Sequence, residues 1–168
     1  SKARLADPGR PLATLLFLGP TGVGKTQCAK ALAEVMFSDA SRLLRFDMNE
    51  YAAPHAVTQL VGTLHEPDGL LTSAVRRQPF SVVLLDEIEK AAQEVFDALM
   101  TMFDEGYLVD LRGREISFRS AVIILTSNLG SQVADGIGFG EPAGDVHMQE
   151  VKKFFRPDVA LDSDDTLY

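Results

Sequence analysis

Apolar and polar positions along the chain fall into short blocks that predict strands alternating with helices. Apolar runs predict strands at residues 15–18, 43–46, 80–85 and 121–126. The run at 80–85 is rich in branched side chains and lacks polar alternation, which is typical of a strand covered on both faces. Helical patterns predict helices at 29–36, 54–61, 70–77 and 92–105. This order of elements predicts an α/β fold with a parallel central sheet and helices on both sides.

Two of the predicted helices carry apolar stripes, and a hairpin follows the second of them. The stripe of the first helix consists of Cys28, Leu32, Val35 and Met36, and we expect Cys28 to be a small buried core residue. The stripe of the last helix consists of Val95, Phe96, Leu99, Met100 and Phe103. Residues 108–110 and 115–118, joined across Arg112 and Gly113, predict a β-hairpin.

Composition narrows the class of protein. A length of 168 residues is typical of one compact domain, and 46% apolar with 24% charged residues describes a globular protein. The net charge of −8 argues against a nucleic-acid binder, because no basic surplus is available to displace counterions. A single cysteine excludes an internal disulfide. Without a membrane-length apolar run or a signal peptide, we expect a cytoplasmic protein with no membrane partner.

The strongest chemical signal is a phosphate-loop motif between the first predicted strand and the first predicted helix. Its glycines allow the backbone N–H groups to point at one anion, and the helix that follows adds its positive dipole end. Lys25 would bring a positive charge to the outer phosphates, and the Thr26 hydroxyl is a ligand for Mg²⁺. The predicted phosphate-binding residues are Gly19, Pro20, Thr21, Gly22, Val23, Gly24, Lys25 and Thr26.

Acidic and amide side chains follow two further strands. Asp86 and Glu87 end the strand at 80–85, at the edge where open α/β sheets bind ligands. Asp86 can hold the water shell of a metal and Glu87 can polarise a water molecule as general base, whereas the simpler interpretation is that both cap the next helix. Asn128 follows the last strand and can contact the γ-phosphate or the attacking water, or it can be a turn residue.

These segments together resemble the Clp-type AAA+ ATPases, a family of protein unfoldases and disaggregases, and specifically the large subdomain of their second ATPase module. The resemblance covers residues 4 to about 131. Its segments are Arg10-Pro11, GPTGVGKT at 19–26, FDMNEY at 46–51, Leu71-Thr72 with AVRR at 74–77, VVLLDEIEKA at 82–91, FDEG at 103–106 and ILTSNLGS at 124–131.

The resemblance implies a three-layer α/β/α P-loop fold that uses ATP and Mg²⁺. By position, Lys25 and Thr26 hold phosphate and Mg²⁺, Asp86 supports the metal, Glu87 is the catalytic base and Asn128 senses the γ-phosphate. It also implies a homo-oligomeric ring, usually a hexamer, that threads polypeptide substrates and can work with adaptor or peptidase partners. We expect residues 1–156 to form the large subdomain, with a short helix at 146–155, and residues 157–168 to be a tail or a remnant of the small subdomain.

The chain departs from the family pattern in two segments. The stretch 63–70 is about five residues shorter than the family's pore loop and lacks its tyrosine; either the loop is truly deleted or its residues are not part of the sequence as given. After Pro157 the family's arginine-finger segment is not found, and Arg156 does not take its place. We therefore expect low hydrolysis by this chain alone. An alternative to a remodelling ATPase is a nucleotide-binding assembly module with little turnover.

Overall fold

The structure is a computed structural model that describes residues 9–20, 22–63, 65, 68–110 and 112–128. The strands are β1 (Ala13–Leu18), β2 (Leu43–Asp47), β3 (Val82–Asp86), β4 (Tyr107–Val109), β5 (Glu115–Ser117) and β6 (Val122–Ser127). The α-helices are α1 (Lys25–Phe37), α2 (Ala56–Val61), α3 (Leu70–Arg77) and α4 (Gln93–Glu105). Short 3₁₀ turns occupy Ala40–Arg42, Met48–Tyr51 and Ile88–Lys90. The predicted elements within these ranges are confirmed, and the predicted helix at 146–155 lies outside the described residues.

Four strands form a parallel sheet in the order β1-β6-β3-β2, which confirms the predicted central sheet. The pairing sets Leu18 beside Ser127, Leu85 beside Leu125 and Asp47 beside Asp86. Because the strands run in one direction, all their carboxyl ends reach the same edge of the sheet. β4 and β5 pair antiparallel as a separate hairpin, as predicted.

Two apolar cores cover the two faces of this sheet and make a three-layer α/β/α structure. One core packs α1 against alternate residues of the central strands, including Val82, Leu84 and Ile124. The other packs the remaining α-helices and the hairpin against the opposite residues, including Leu85 and Leu125. Since both faces are covered, β3 and β6 have no polar alternation along their buried parts.

The apolar stripe predicted for α1 is wrong, and so is the buried position of Cys28. Cys28 is exposed, and Val35 is 79% exposed. The face that meets the sheet is instead formed by Ala29 and Ala33, both fully buried, with Leu32 and Phe37 beside them. Alanines let the helix approach the sheet closely, but their small side chains add little to a hydrophobic pattern, so the pattern favoured the wrong side of the helix.

The stripe predicted for α4 is confirmed, and all five of its residues are buried. The hairpin that follows is closed by Asp110, whose side chain is 1% exposed and accepts hydrogen bonds from the backbone N–H groups of Arg112 and Arg114. Burial would raise the pKa of Asp110, but these bonds and the Arg114 guanidinium outweigh it and lower the pKa. In the described part of the chain, no helix is both long and apolar enough to cross a membrane.

Candidate nucleotide-binding site

The phosphate loop leaves β1 at the carboxyl edge of the sheet. Its first glycine is tied to the neighbouring strand, because the Gly19 N–H donates to the Ser127 carbonyl at 3.2 Å. Gly22 and Gly24 have φ of +88° and +95°, a conformation that favours glycine. A Cβ added at either of these two positions would meet no atom within 4 Å. Open space therefore faces this backbone, as the close approach of a phosphate requires; Thr21 lies outside the described residues.

Helix α1 begins at the end of this loop and presents an uncapped N-terminus. Gly24 is its N-cap residue and makes no side-chain capping bond, and the first turn contains no acidic residue. The first N–H groups of a helix have no partner within the helix, and together with the helix dipole they attract an anion. The end of α1 thus adds to the loop a second set of groups suited to phosphate.

Lys25 connects the loop to the end of β6. Its ammonium donates to the Gly19 carbonyl at 2.7 Å, to the Ser127 carbonyl at 3.3 Å and to Asn128 Oδ1 at 2.6 Å. The charge is therefore held within the loop before any anion arrives. All three partners are uncharged, so an incoming phosphate would be a stronger partner for the ammonium.

Asn128 joins Lys25 to Glu87, the acidic residue directly after β3. Its amide Nδ2 donates to Glu87 Oε1 at 2.7 Å while its Oδ1 accepts from Lys25. Its backbone N–H donates to Glu89 Oε1 at 3.1 Å, and the Glu89 side chain is buried. Asn128 therefore contacts two residues predicted for the site, Lys25 and Glu87. A residue that only formed a turn would not account for these contacts.

Glu87 has an unusual backbone for a residue with a side chain. Its φ and ψ are both 56°, in the left-handed region, which costs an L-residue roughly 1–2 kcal/mol. Its side chain does not cap the turn that follows, against the simpler interpretation of this residue. The carboxylate instead accepts from Asn128 and from Asn49 Nδ2. Strain of this kind concentrates at functional sites.

The side chain of Asp86 is largely covered, with 13% of its surface exposed. One oxygen accepts the hydroxyl of Thr126, and the other accepts Arg45 Nη2 at 2.6 Å in an ion pair. The guanidinium is half exposed, so this ion pair lies at the rim of the site. Asp86 therefore enters the site with its orientation already set.

The structure brings together the predicted residues of three strand ends and adds four that the sequence analysis missed, namely Arg45, Asn49, Thr126 and Glu89. Asn49, Thr126 and Glu89 lie inside segments that carried the family resemblance, so a signal for them existed. Arg45 is an exposed position of β2, and nothing in the sequence pattern separates it from an ordinary surface arginine. Its role depends on the pairing of β2 with β3.

A metal ion at this site would have to share its coordination with a bound phosphate. Among the described residues, His, Cys, Asp and Glu form no cluster of three or more that could hold a metal by themselves. Mg²⁺ is commonly bound by one or two protein oxygens together with phosphate and water. Asp86 and Thr26 would supply protein oxygens of this kind next to the phosphate loop.

The segment that is shorter than the family pattern, residues 63–70, follows α2 and leads into α3, and the ends of these two helices touch. A Cβ added at Gly69 would lie 2.1 Å from the Leu60 carbonyl oxygen, so the start of α3 packs directly on the end of α2. The Thr72 hydroxyl donates to the Val61 carbonyl at 3.3 Å across the same junction. Asp68 forms ion pairs with Arg76 and Arg114, which join this segment to the hairpin. Residues 64, 66 and 67 lie outside the described residues.

A parallel sheet with a glycine-rich phosphate loop at its carboxyl edge defines a P-loop α/β nucleotide-binding domain. A family model described as AAA domain (Cdc48 subfamily) matches residues 10–160. The chain therefore belongs to the AAA domain family, and this membership implies nucleotide binding.

The chain is also similar to proteins named "Chaperone protein ClpB". The protein from Streptomyces albus G is 48% identical over 170 residues, which cover 98% of this chain and 20% of that protein. The protein from Corynebacterium diphtheriae is 49% identical over 172 residues, covering 99% of this chain and 19% of that protein. The protein from Staphylococcus epidermidis is 44% identical over 175 residues, covering 98% of this chain and 20% of that protein.

These lengths show how the chain compares in size with the relatives that it matches. The chain spans about a fifth of the length of these relatives. The match to the Staphylococcus protein extends over 175 residues, more than the 168 of this chain. That relative therefore has residues inside the matched stretch that this chain lacks.

Proposed function

We propose that this chain is the nucleotide-binding part of an ATPase module in a Clp-type protein-remodelling machine. The observation that carries the proposal is the hydrogen-bonded chain from Lys25 through Asn128 to Glu87, which links the phosphate loop to the acidic residue directly after β3. This arrangement gives a cation for the phosphates and a carboxylate for the attacking water within one connected site.

Each group has a chemical role in this proposal. The backbone of residues 19–26 and the Lys25 ammonium bind and orient the phosphates of ATP. Asp86 and Thr26 would hold Mg²⁺, which would supply positive charge to neutralise the phosphates. Glu87 accepts a proton from water as general base, and the Asn128 amide orients that water or the γ-phosphate. The Asn49 amide, bound to the same carboxylate, helps to fix the position of Glu87.

The relatives' name, chaperone, supports protein remodelling as the work of the whole protein. The proposed partners are further copies of the same protein in a ring, taken to be a hexamer, with polypeptide substrates and adaptor or peptidase proteins. Residues 1–156 are the proposed large subdomain, and 157–168 a tail. The alternative, an assembly module without turnover, is less favoured, because the relatives that match almost the whole chain are named as chaperones.

Changing Glu87 to Gln tests the proposal. The amide keeps the shape but cannot accept the proton, so we expect ATP hydrolysis to fall by roughly 10²–10⁴-fold. Nucleotide affinity, measured by titration with a fluorescent ATP analogue, should remain near that of the parent. Glu115→Gln is the matched control, because Glu115 is exposed on the hairpin strand β5 and should leave both properties unchanged.

Three results would contradict parts of the proposal. Undiminished hydrolysis in Glu87→Gln would exclude Glu87 as the base. A parent that binds ATP and assembles without hydrolysing it would favour the assembly module. Hydrolysis that does not respond to unfolded polypeptide in the complete protein would remove the remodelling role and leave the ATPase.

A further inference from the structure

Thr126 lies between the two acidic residues of the site. Its hydroxyl donates to Asp86 Oδ1 and accepts the backbone N–H of Glu87 at 3.0 Å. The residue is fully buried near the end of β6. One side-chain oxygen thus contacts both residues that the proposed function assigns to the metal and to the general base.

The sheet register explains this position. Leu85 on β3 pairs with Leu125 on β6, so the next residues along the two strands, Asp86 and Thr126, are also neighbours. The preceding residues 122–125 of β6 are apolar and buried, and a valine would fill the same volume as Thr126. Packing alone therefore gives no reason for a hydroxyl at position 126.

The chemistry of the two contacts requires a hydroxyl. A single group must donate a proton to the Asp86 carboxylate and accept one from the Glu87 amide, and a serine or threonine hydroxyl does both. Such a chain of hydrogen bonds is mutually polarised and strengthened inside a protein. The Glu87 amide that it holds belongs to the left-handed residue, so the contact acts on the strained turn itself.

We propose that Thr126 is a positioning residue that orients both acidic groups for the reaction. It fixes the direction of the Asp86 carboxylate and holds the backbone from which the Glu87 side chain extends. The inference rests on the proposed function for its catalytic consequence, but the geometry that it describes exists in the protein without nucleotide.

The variants Thr126→Val and Thr126→Ser test this role in the complete protein. Valine keeps the shape and removes the hydroxyl, whereas serine keeps the hydroxyl. Mg²⁺ should increase the ATP affinity of the parent. In Thr126→Val we expect this increase to be roughly 10–100-fold smaller, because groups that orient a metal ligand have effects of this size. Its kcat should fall while ATP affinity without Mg²⁺ stays at the parent value. Thr126→Ser should restore both properties.

The matched control is Thr72→Val, since Thr72 is also buried but donates only to carbonyls of the α2–α3 junction. This variant should lower thermal stability without changing the Mg²⁺ dependence of ATP binding. A purely structural role for Thr126 predicts the same behaviour for Thr126→Val, and that result would overturn the inference.

Amide hydrogen exchange in the nucleotide-free protein gives a readout that does not depend on turnover. The Glu87 N–H should exchange faster in Thr126→Val than in the parent and in Thr126→Ser. Equal exchange together with equal Mg²⁺ dependence would refute the positioning role. A parent protein without ATP hydrolysis, combined with faster exchange and a weaker Mg²⁺ effect in Thr126→Val, would refute the proposed ATPase and leave the positioning role intact.

Discussion

Replacing Gly24 by alanine separates the cost of backbone strain from the loss of a phosphate site. Gly24 has φ of +95°, and Gly113 in the turn of the hairpin has φ of +75°. A Cβ at either position would meet no atom within 4 Å. The two substitutions should therefore introduce the same kind of backbone strain without a steric clash, one inside the phosphate loop and one remote from it.

The expected loss of stability follows from these conformations. Placing an L-residue in the left-handed region costs roughly 1–2 kcal/mol. For a chain of this length each kcal/mol lowers Tm by about 2–4 °C, so each variant should melt about 2–8 °C below the parent. Of the two glycines, only Gly24 belongs to the proposed phosphate loop, where an added Cβ would occupy open space beside the expected phosphates. We expect ATP affinity there to fall about tenfold or more, equivalent to about 1.4 kcal/mol.

Thermal unfolding followed by circular dichroism, and ATP titration, would be measured on Gly24→Ala, Gly113→Ala and the parent. Similar melting shifts with an affinity loss confined to Gly24→Ala are the expected result. An unchanged affinity in Gly24→Ala, at temperatures where the variant is folded, would show that this loop does not bind phosphate. An equal affinity loss in Gly113→Ala would assign the effect to general destabilisation.

Three further predictions concern the core, the hairpin and the rim of the site. Ala33→Leu should lower the free energy of unfolding in urea by about 1–3 kcal/mol, because Ala33 is fully buried where α1 packs on the sheet. Cys28→Ser, on the exposed side of the same helix, should change it by less than about 0.5 kcal/mol. Equal effects of the two variants would contradict the orientation of α1 described above. Because the pKa of Asp110 is lowered, its ionised form stabilises the fold above the ordinary aspartate pKa of about 4, and this contribution is lost as the pH falls below that value. The difference in stability between the parent and Asp110→Asn should therefore disappear at low pH. A constant difference down to about pH 2 would contradict this prediction. Arg45→Met should cost at most about 1 kcal/mol of stability, because the guanidinium is half exposed. It should not weaken ATP affinity in the presence of Mg²⁺, because the substitution frees the Asp86 oxygen that Arg45 occupies. A clear loss of affinity in titration would make Arg45 part of the binding site.

Much of the fold and of the candidate site could be predicted because the relevant signals are local. The strand ending in Asp86 and Glu87 consists of consecutive apolar residues, and the phosphate loop is one continuous run of residues. The orientation of α1 could not be predicted in this way. It depends on which face of the helix can approach the sheet closely, and the alanines that allow the approach give a weak hydrophobic signal.

The order of the elements, the position of the phosphate loop and the identity of the residues at the strand ends can all be read from the amino-acid sequence. These follow from the local spacing of apolar residues, glycines and charges. Which side chains contact one another depends on the folded chain. Asn128 lies 103 positions from Lys25 and 41 from Glu87, yet it bonds to both because parallel pairing brings the ends of β1, β3 and β6 together. Contacts such as that of Thr126 with Asp86 depend on strand register, a long-range property that no local pattern encodes.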